Sequence, residues 1–157
     1  KYLQGVMAVE KKRICVFGTY DIIHLGHIHF LNNAKKLGGS NTELTVVIAR
    51  DSSVLRLKNR NTVFPEEHRR QIVENLKAVD KAVLGNEGED KFSIIEKIRP
   101  DMIVLGYDQW ITAEELKKKL EKRFDWSIDI NTLPKYEIDG LNSSSTVQKR
   151  ISQLRTS

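Results

Sequence analysis

The segment Gly18-Thr19-Tyr20-Asp21-Ile22-Ile23-His24-Leu25-Gly26-His27 decides how this chain folds. It follows a short apolar run at residues 13–17, which predicts a buried strand, and its leading glycine predicts a turn. From about Leu25 to Leu37 apolar residues recur at helical spacing until two glycines stop them, which predicts a helix. The segment therefore joins a strand to a helix, the repeating unit of α/β proteins.

The same alternation continues to the end of the chain. It predicts one α/β domain over residues 11–157, a Rossmann-like parallel sheet of about five strands with helices on both faces, preceded by an N-terminal tail at residues 1–10. Ligands bind such sheets at the carboxyl ends of the strands, so the loops after Phe17, Ala49 and Leu105 are the expected site. The predicted strands are 13–17, 44–49, 82–84, 102–105 and 126–130. The predicted helices are 25–37, one that begins at Pro65, 91–98, 113–123 and 145–154. Residues 50–63 are predicted to be a functional loop.

Composition excludes several classes of protein. With 39% apolar and 30% charged residues in 157, the chain is neither collagen-like nor strongly disordered. The net charge of +5 indicates an anionic partner, or simply basic residues on solvated helix faces. Cys15 is the only cysteine and lies in an apolar run, which indicates a buried structural thiol and a reducing cytoplasm. No apolar stretch reaches the length of a membrane span and no signal peptide is visible, so we expect a cytoplasmic protein without a membrane partner.

His24 and His27 are the first candidates for chemistry. They lie three residues apart at a helix start, where free N–H groups and the helix dipole favour an anion such as a polyphosphate, and Gly26 lets a ligand approach the backbone. There are two alternatives to this phosphate-binding role. The histidines could be ordinary helix-cap or core residues, or the two could together bind a metal ion. A metal pair is disfavoured because no third ligand occurs at a familiar spacing. His29 shares neither the spacing nor the motif and is interpreted as structural.

This segment resembles the cytidylyltransferase-like nucleotidyltransferases, which carry H-x-G-H after a G-x-F-D turn. The match consists of Gly18, Thr19, Tyr20, Asp21, His24, Gly26 and His27, with Tyr20 where phenylalanine is usual. Residues 47–52, 64–70, 79–85 and 105–109 most resemble the archaeal FAD synthases. Residues 77–81 and 139–146 depart from the glycerol-3-phosphate cytidylyltransferases, which carry R-Y-V-D-E and R-T-x-G-I-S-T-T there.

The resemblance also implies roles for single residues. It makes His24, His27 and Lys58 catalytic and places Arg69 on the acceptor side, although Lys58 also fits a solvated charge run and Arg69 a surface salt bridge. Trp110 fits stacking on a ring or packing against the next helix. Asp21 is expected to fix the turn and orient a histidine, because a phosphate nucleophile needs no base. The nucleotide-binding residues would be Gly18, Thr19, Tyr20, Asp21, Gly26, Asp108, Ser143, Ser144, Ser145 and Thr146; a turn aspartate and a serine N-cap are the alternatives for the last five.

What the resemblance implies for function is transfer of AMP from ATP to a phosphorylated acceptor, with FMN as the leading acceptor and pyrophosphate as the other product. The alternatives are a glycerol-3-phosphate cytidylyltransferase that uses CTP, a heptose-phosphate adenylyltransferase, and a non-catalytic module that binds nucleotide or RNA. Mg²⁺ would arrive with the triphosphate, since the chain offers no dedicated carboxylate cage. A homodimer is expected by resemblance. No nucleic-acid partner is expected, because no strand interleaves aromatic and basic residues.

Overall fold

The computed structural model describes residues 2–3, 6–7, 10–88, 90–137, 140–141 and 143–157. Parts of the predicted tail, and Asp139 and Asn142 of the 139–146 segment, lie outside this range. The elements are β1 Tyr2–Leu3, β2 Val6–Met7, β3 Lys12–Gly18, α1 Leu25–Lys36, β4 Thr42–Ile48, α2 Asp51–Lys58, α3 Glu66–Glu74, β5 Lys81–Leu84, α4 Ser93–Ile98, β6 Met102–Leu105, α5 Ala113–Arg123, β7 Asp129–Thr132 and α6 Ser144–Thr156.

Five of the strands form one parallel sheet in the order β5-β4-β3-β6-β7, and β1 pairs with β2 in a separate antiparallel hairpin. The central strand β3 has β4 on one side, with Gly18 opposite Ile48, and β6 on the other, with Val16 opposite Val104. The chain thus winds outward from β3 in both directions. The predicted five-stranded Rossmann-like α/β fold is confirmed.

Two apolar cores cover the two faces of the sheet. Ile14 and Val16 point into the first core with α1 and α3, whereas Cys15 points into the second core with α4 and α5. This alternation buries both faces, as a parallel sheet requires, and confirms the prediction of helices on both sides. Cys15 is fully buried, and burial raises the pKa of its thiol, so it is a core residue as predicted.

The predicted loop at residues 50–63 is wrong, because residues 51–58 form helix α2. Only Val54 of this helix is buried, so the apolar periodicity that predicts helices is missing. The helix instead has an acidic residue in its first turn, basic residues in its last, and Asn59 in the left-handed conformation (φ 51°) as its C-cap. A solvated helix of this kind carries little sequence signal.

The last predicted strand is displaced along the chain. Pairing begins at Asp129 rather than Trp126, because the Trp126 indole N–H donates to the Pro100 carbonyl and its ring packs against Phe124. The apolar residues before the strand therefore fill the second core without joining the sheet. Among the described residues, no helix is long and apolar enough to cross a membrane.

Candidate active site

A cleft of about 740 Å³ opens at the carboxyl ends of the strands, where the segments after β3, β4 and β6 meet. Open α/β sheets bind their ligands at this edge. Most of the predicted site residues line it, although they come from four separate segments of the chain. These are Gly18, Thr19, Tyr20, Asp21, His24, Gly26, His27, Lys58, Asp108, Ser143, Ser144 and Ser145.

His24 and His27 together form the N-terminal cap of α1. The His24 Nδ1 atom accepts from the Gly26 amide at 3.1 Å, and the His27 Nδ1 atom accepts from the His24 amide at 3.2 Å. The two ring centroids lie 3.9 Å apart. The interpretations of these histidines as cap residues and as phosphate-binding residues are therefore compatible, because each ring uses only one nitrogen for the helix and both residues line the cleft.

The capping bonds also set the protonation of both rings. Because each Nδ1 atom accepts a hydrogen bond, each neutral ring carries its proton on Nε2, where it is available as a donor. Burial lowers the pKa of His24, and burial together with the neighbouring His24 lowers the pKa of His27 to about 3. Both imidazoles are thus neutral donors at physiological pH.

Lys58 ends helix α2 at the cleft wall. Its Nζ atom donates to the Thr19 hydroxyl at 3.2 Å, which places a cation beside the turn that leads into the histidine cap. Burial and the nearby Arg60 lower the pKa of Lys58, while Asp108 across the cleft opposes this shift. A partly desolvated cation facing a cleft is suited to binding a polyphosphate.

A second helix begins at the same cleft. The Ser143 hydroxyl accepts from the Thr146 amide at 3.3 Å, and the Thr146 hydroxyl accepts from the Ser143 amide at 3.2 Å, which forms a capping box at the start of α6. Ser143, Ser144 and Ser145 line the cleft, whereas Thr146 does not. Thr146 was predicted to bind nucleotide; its hydroxyl is occupied by the cap, so the structure assigns it to the helix start.

Two helix N-termini, a pair of neutral histidines and a lysine therefore surround one cleft. The sequence model of the cytidylyltransferase-like family matches residues 15–150, which span β3 to α6. The chain belongs to this family.

Individual relatives agree with the family assignment. The FAD synthase of Korarchaeum cryptofilum is 44% identical over 143 residues, covering 91% of this chain and 93% of the relative. The FAD synthase of Methanothermus fervidus is 45% identical over 140 residues, covering 88% of this chain and 93% of that protein. These relatives confirm the predicted resemblance to archaeal FAD synthases.

Solved structures confirm the fold. A crystal structure described as the lipopolysaccharide core biosynthesis protein of Thermoplasma volcanium superposes with a TM-score of 0.75 at 41% identity, covering 82% of this chain and all of that one. A protein of unknown function from Archaeoglobus fulgidus, at 16% identity and a TM-score of 0.61, shares the fold alone.

Asp21 of the family motif anchors a loop. It is buried, and its two carboxylate oxygens accept from the Val63 and Phe64 amides at 2.7 and 2.9 Å. These contacts differ from the expected contact with a histidine, since the amides of Gly26 and His24 hold the two imidazoles. Asp21 instead ties the segment between α2 and α3 to the cleft.

The structure places Arg69 away from the position expected for a contact with the acceptor. Its side chain is fully buried, it does not line the cleft, and it donates to the carbonyls of Phe64 and Thr19 at 2.9 and 2.7 Å and to Asp51 at 2.7 Å. The partners lie up to 50 residues away, so no local pattern reveals them. Arg69 therefore supports the turn at Thr19 from the protein interior.

Sequence reasoning missed a reciprocal contact between the starts of α2 and α3. The Asp51 amide donates to Glu66, and the Glu66 amide donates to Asp51, at 3.0 and 3.1 Å. Arg50 adds an ion pair to Glu66 at 2.9 Å. An acidic first turn in each helix was the available signal, but pairing the two turns requires the fold.

The side chains that the structure describes form no cluster of metal ligands. Among the residues that the structure describes, no group of three or more His, Cys, Asp or Glu side chains is arranged to hold an ion. The histidines and Lys58 are instead suited to direct contact with anionic oxygens.

Proposed function

We propose that this chain is an FMN adenylyltransferase, which transfers AMP from ATP to FMN and releases pyrophosphate. The observation that carries the proposal is the set of FAD synthase relatives at 44–45% identity over about nine tenths of the chain. These relatives favour FMN and ATP over the glycerol-phosphate and heptose-phosphate alternatives.

The reaction is an in-line displacement at phosphorus. A phosphate oxygen of FMN forms a bond to the α-phosphorus of ATP, and the bond from that phosphorus to the bridging oxygen of pyrophosphate breaks. The FMN phosphate is already anionic, so the step requires no general base. The protein must position two anions and stabilise the charge that moves onto pyrophosphate.

The Nε2–H groups of His24 and His27 are the proposed donors to that charge. Neutral rings fixed by the helix cap need no reorganisation when charge develops, which is how preorganised donors lower a barrier. Gly26 between them lets a phosphate approach the backbone. Lys58 is proposed to bind the triphosphate as well, because its contact with Thr19 holds it beside the turn that leads into the histidines.

The start of α6 is the proposed site of the β- and γ-phosphates. Ser144 and Ser145 line the cleft at the positive end of the helix dipole, with Ser143 fixing the helix start. Asp108, exposed at the cleft, is the proposed contact to base and ribose. Mg²⁺ is proposed to enter bound to ATP, where it would offset the charge of the phosphates.

We propose further that the protein forms a homodimer and is located in the cytoplasm. Helix α6 buries none of its described side chains and leaves Ile151 and Leu154 46% and 58% exposed, one turn apart on one face. A second copy would cover this apolar face. The free thiol Cys15 supports a reducing compartment. Light scattering should give about twice the 18.1 kDa chain mass, and a Leu154→Glu variant should give the single mass.

The test of the activity is a pyrophosphate-release assay with Mg²⁺ that crosses ATP and CTP with FMN, glycerol 3-phosphate and a heptose 1-phosphate. We expect release with ATP and FMN alone, with FAD identified by chromatography. Release with a different pair would keep the nucleotidyl transfer and replace the substrates. Silence with every pair, from a protein that still binds ATP, would contradict the proposed reaction.

A further inference from the structure

The two sides of the cleft differ in chemistry. The side formed by the starts of α1 and α6 presents imidazoles and hydroxyls, as described above. On the side of α4 and α5 the cleft reaches into the second core, so residues of that core also line it. They form what we call the apolar chamber, which consists of the partly exposed Phe17, Phe92 and Ile94 together with the almost fully buried Val47, Ile95, Leu105, Ile111 and Leu116.

A tryptophan and a lysine stand at the rim of the apolar chamber. Trp110 lines the cleft with 53% of its surface exposed, and the Nζ atom of Lys91 lies 3.9 Å from the centroid of its ring. Lys119 lies 6.0 Å from the same ring. Within the described part of the chain, neither lysine has a carboxylate at ion-pair distance, so the rim is aromatic and carries uncompensated positive charge.

Three arginines, two from the region of α2 and one from α5, hold the segment that carries Lys91. Arg50 donates to the Gly85 carbonyl at 2.8 Å, and Arg56 donates to the Gly88 carbonyl at 3.2 Å. Arg123 makes two hydrogen bonds to Asp90, at 2.6 and 2.7 Å. The segment that leads into Lys91 is therefore fixed in place, as a preformed binding site requires.

These features fit a planar aromatic ring with one apolar end and one polar end that accepts hydrogen bonds from a cation. The apolar side chains of the chamber offer no hydrogen-bond partners to the polar edge of adenine, and an unpaired polar edge is costly to bury. The dimethylbenzene end of a flavin has no such edge, while the polar pyrimidine end of the flavin would remain at the rim, within reach of Lys91. Of the two ring systems in the reaction, the flavin is the better match to the chamber.

We propose that the apolar chamber receives the isoalloxazine ring of FMN, with Trp110 stacking on it and Lys91 binding its polar end. This inference rests on the proposed function, since it assigns the acceptor of that reaction to one side of the cleft. It makes Trp110 a determinant of acceptor choice. Small polar acceptors such as glycerol 3-phosphate would leave the chamber empty and bind poorly.

The test is separate measurement of FMN and ATP binding by equilibrium dialysis. Trp110→Ala should weaken FMN binding about tenfold and leave ATP binding unchanged, while Trp110→Phe should retain most of the affinity. Trp126→Phe is the matched control, because Trp126 is the only other tryptophan and does not line the cleft. Trp110 is half exposed, so its variants should keep the wild-type melting temperature.

Lumiflavin, the ring without its phosphate chain, provides a second probe. It should compete with FMN and not with ATP, and lose this ability in Trp110→Ala. The chamber assignment alone would be overturned if lumiflavin competed with ATP. It would also be overturned if Trp110→Ala left the FMN affinity unchanged while wild-type protein still formed FAD. Failure of wild-type protein to form FAD from FMN and ATP would instead overturn the proposed function.

Discussion

Replacing Arg69 with methionine tests whether this residue holds the active-site turn or binds the acceptor. Methionine fills a similar volume and removes the charge together with its hydrogen bonds to the carbonyls of Thr19 and Phe64 and to Asp51. A structural role predicts a loss of stability. An acceptor role predicts a higher KM for FMN in a protein of normal stability.

The size of the effect follows from burial. Each hydrogen bond from a charged donor contributes about 1.5 kcal/mol or more, so the two bonds to carbonyls amount to about 3 kcal/mol. The Asp51 side chain is 43% exposed and regains water when its partner is lost, so this pair adds little. We therefore expect the free energy of unfolding to fall by about 3 kcal/mol, which for a domain of this length lowers Tm by about 10 °C.

Urea unfolding followed by circular dichroism measures this change. Arg70→Met is the matched control, because the adjacent arginine makes its ion pairs to Glu67 and Glu74 at the surface, where such pairs contribute little. An equal loss in the two variants would refute the reasoning. So would a stable Arg69→Met protein whose only defect is a raised KM for FMN.

Three further predictions concern the cap and the turn. His27→Ala should lower kcat by about 10²–10³-fold, the usual cost of losing one preorganised donor, with an unchanged far-ultraviolet spectrum; near-normal pyrophosphate release would remove the proposed site. The folded-state pKa of His27 is depressed to about 3, so its stabilising effect is present above the unfolded value of 6.5 and is lost as pH falls. The free energy of unfolding should therefore drop more steeply between pH 6.5 and 5 in wild type than in His27→Gln, by up to about 1.4 kcal/mol per unit, and equal slopes would contradict this. Gly18→Ala would place a methyl group 2.5 Å from the buried Tyr20 ring and should destabilise the protein. In Gly85→Ala the added methyl group would meet atoms no closer than 3.5 Å, so this variant should be tolerated. Thermal melts of the two variants measure the difference.

The sequence predicted the elements that carry their own local signal. The strand β3, the turn at Gly18 and helix α1 are recognisable because an apolar run, a glycine and a helical repeat follow one another within 25 residues. Helix α2 was missed because it buries only Val54 and depends on charges and a left-handed C-cap. Local pattern identifies elements that contribute to the core and overlooks those that stay at the surface.

Side-chain roles were harder to predict than positions. His24, Lys58 and Ser143 line one cleft as the motifs predicted, because each ends or begins an element at the carboxyl edge of the sheet. Arg69 and Thr146 come from equally good motifs, yet their polar side-chain atoms are bound mainly by backbone groups of the chain itself. Whether a polar side chain faces the ligand or the chain depends on its tertiary partners, which spacing does not encode.

The histidine cap shows how stability and chemistry meet in the same atoms. A serine at position 24 could accept from the Gly26 amide as well as an imidazole does, since serine is among the preferred N-caps. It would have no second nitrogen to present to the cleft. Helix stability alone therefore does not explain why imidazoles occupy both positions of the capping box. Both nitrogens of each ring are explained together if the helix cap holds Nδ1. The neutral Nε2–H group is then available as a donor to a phosphate.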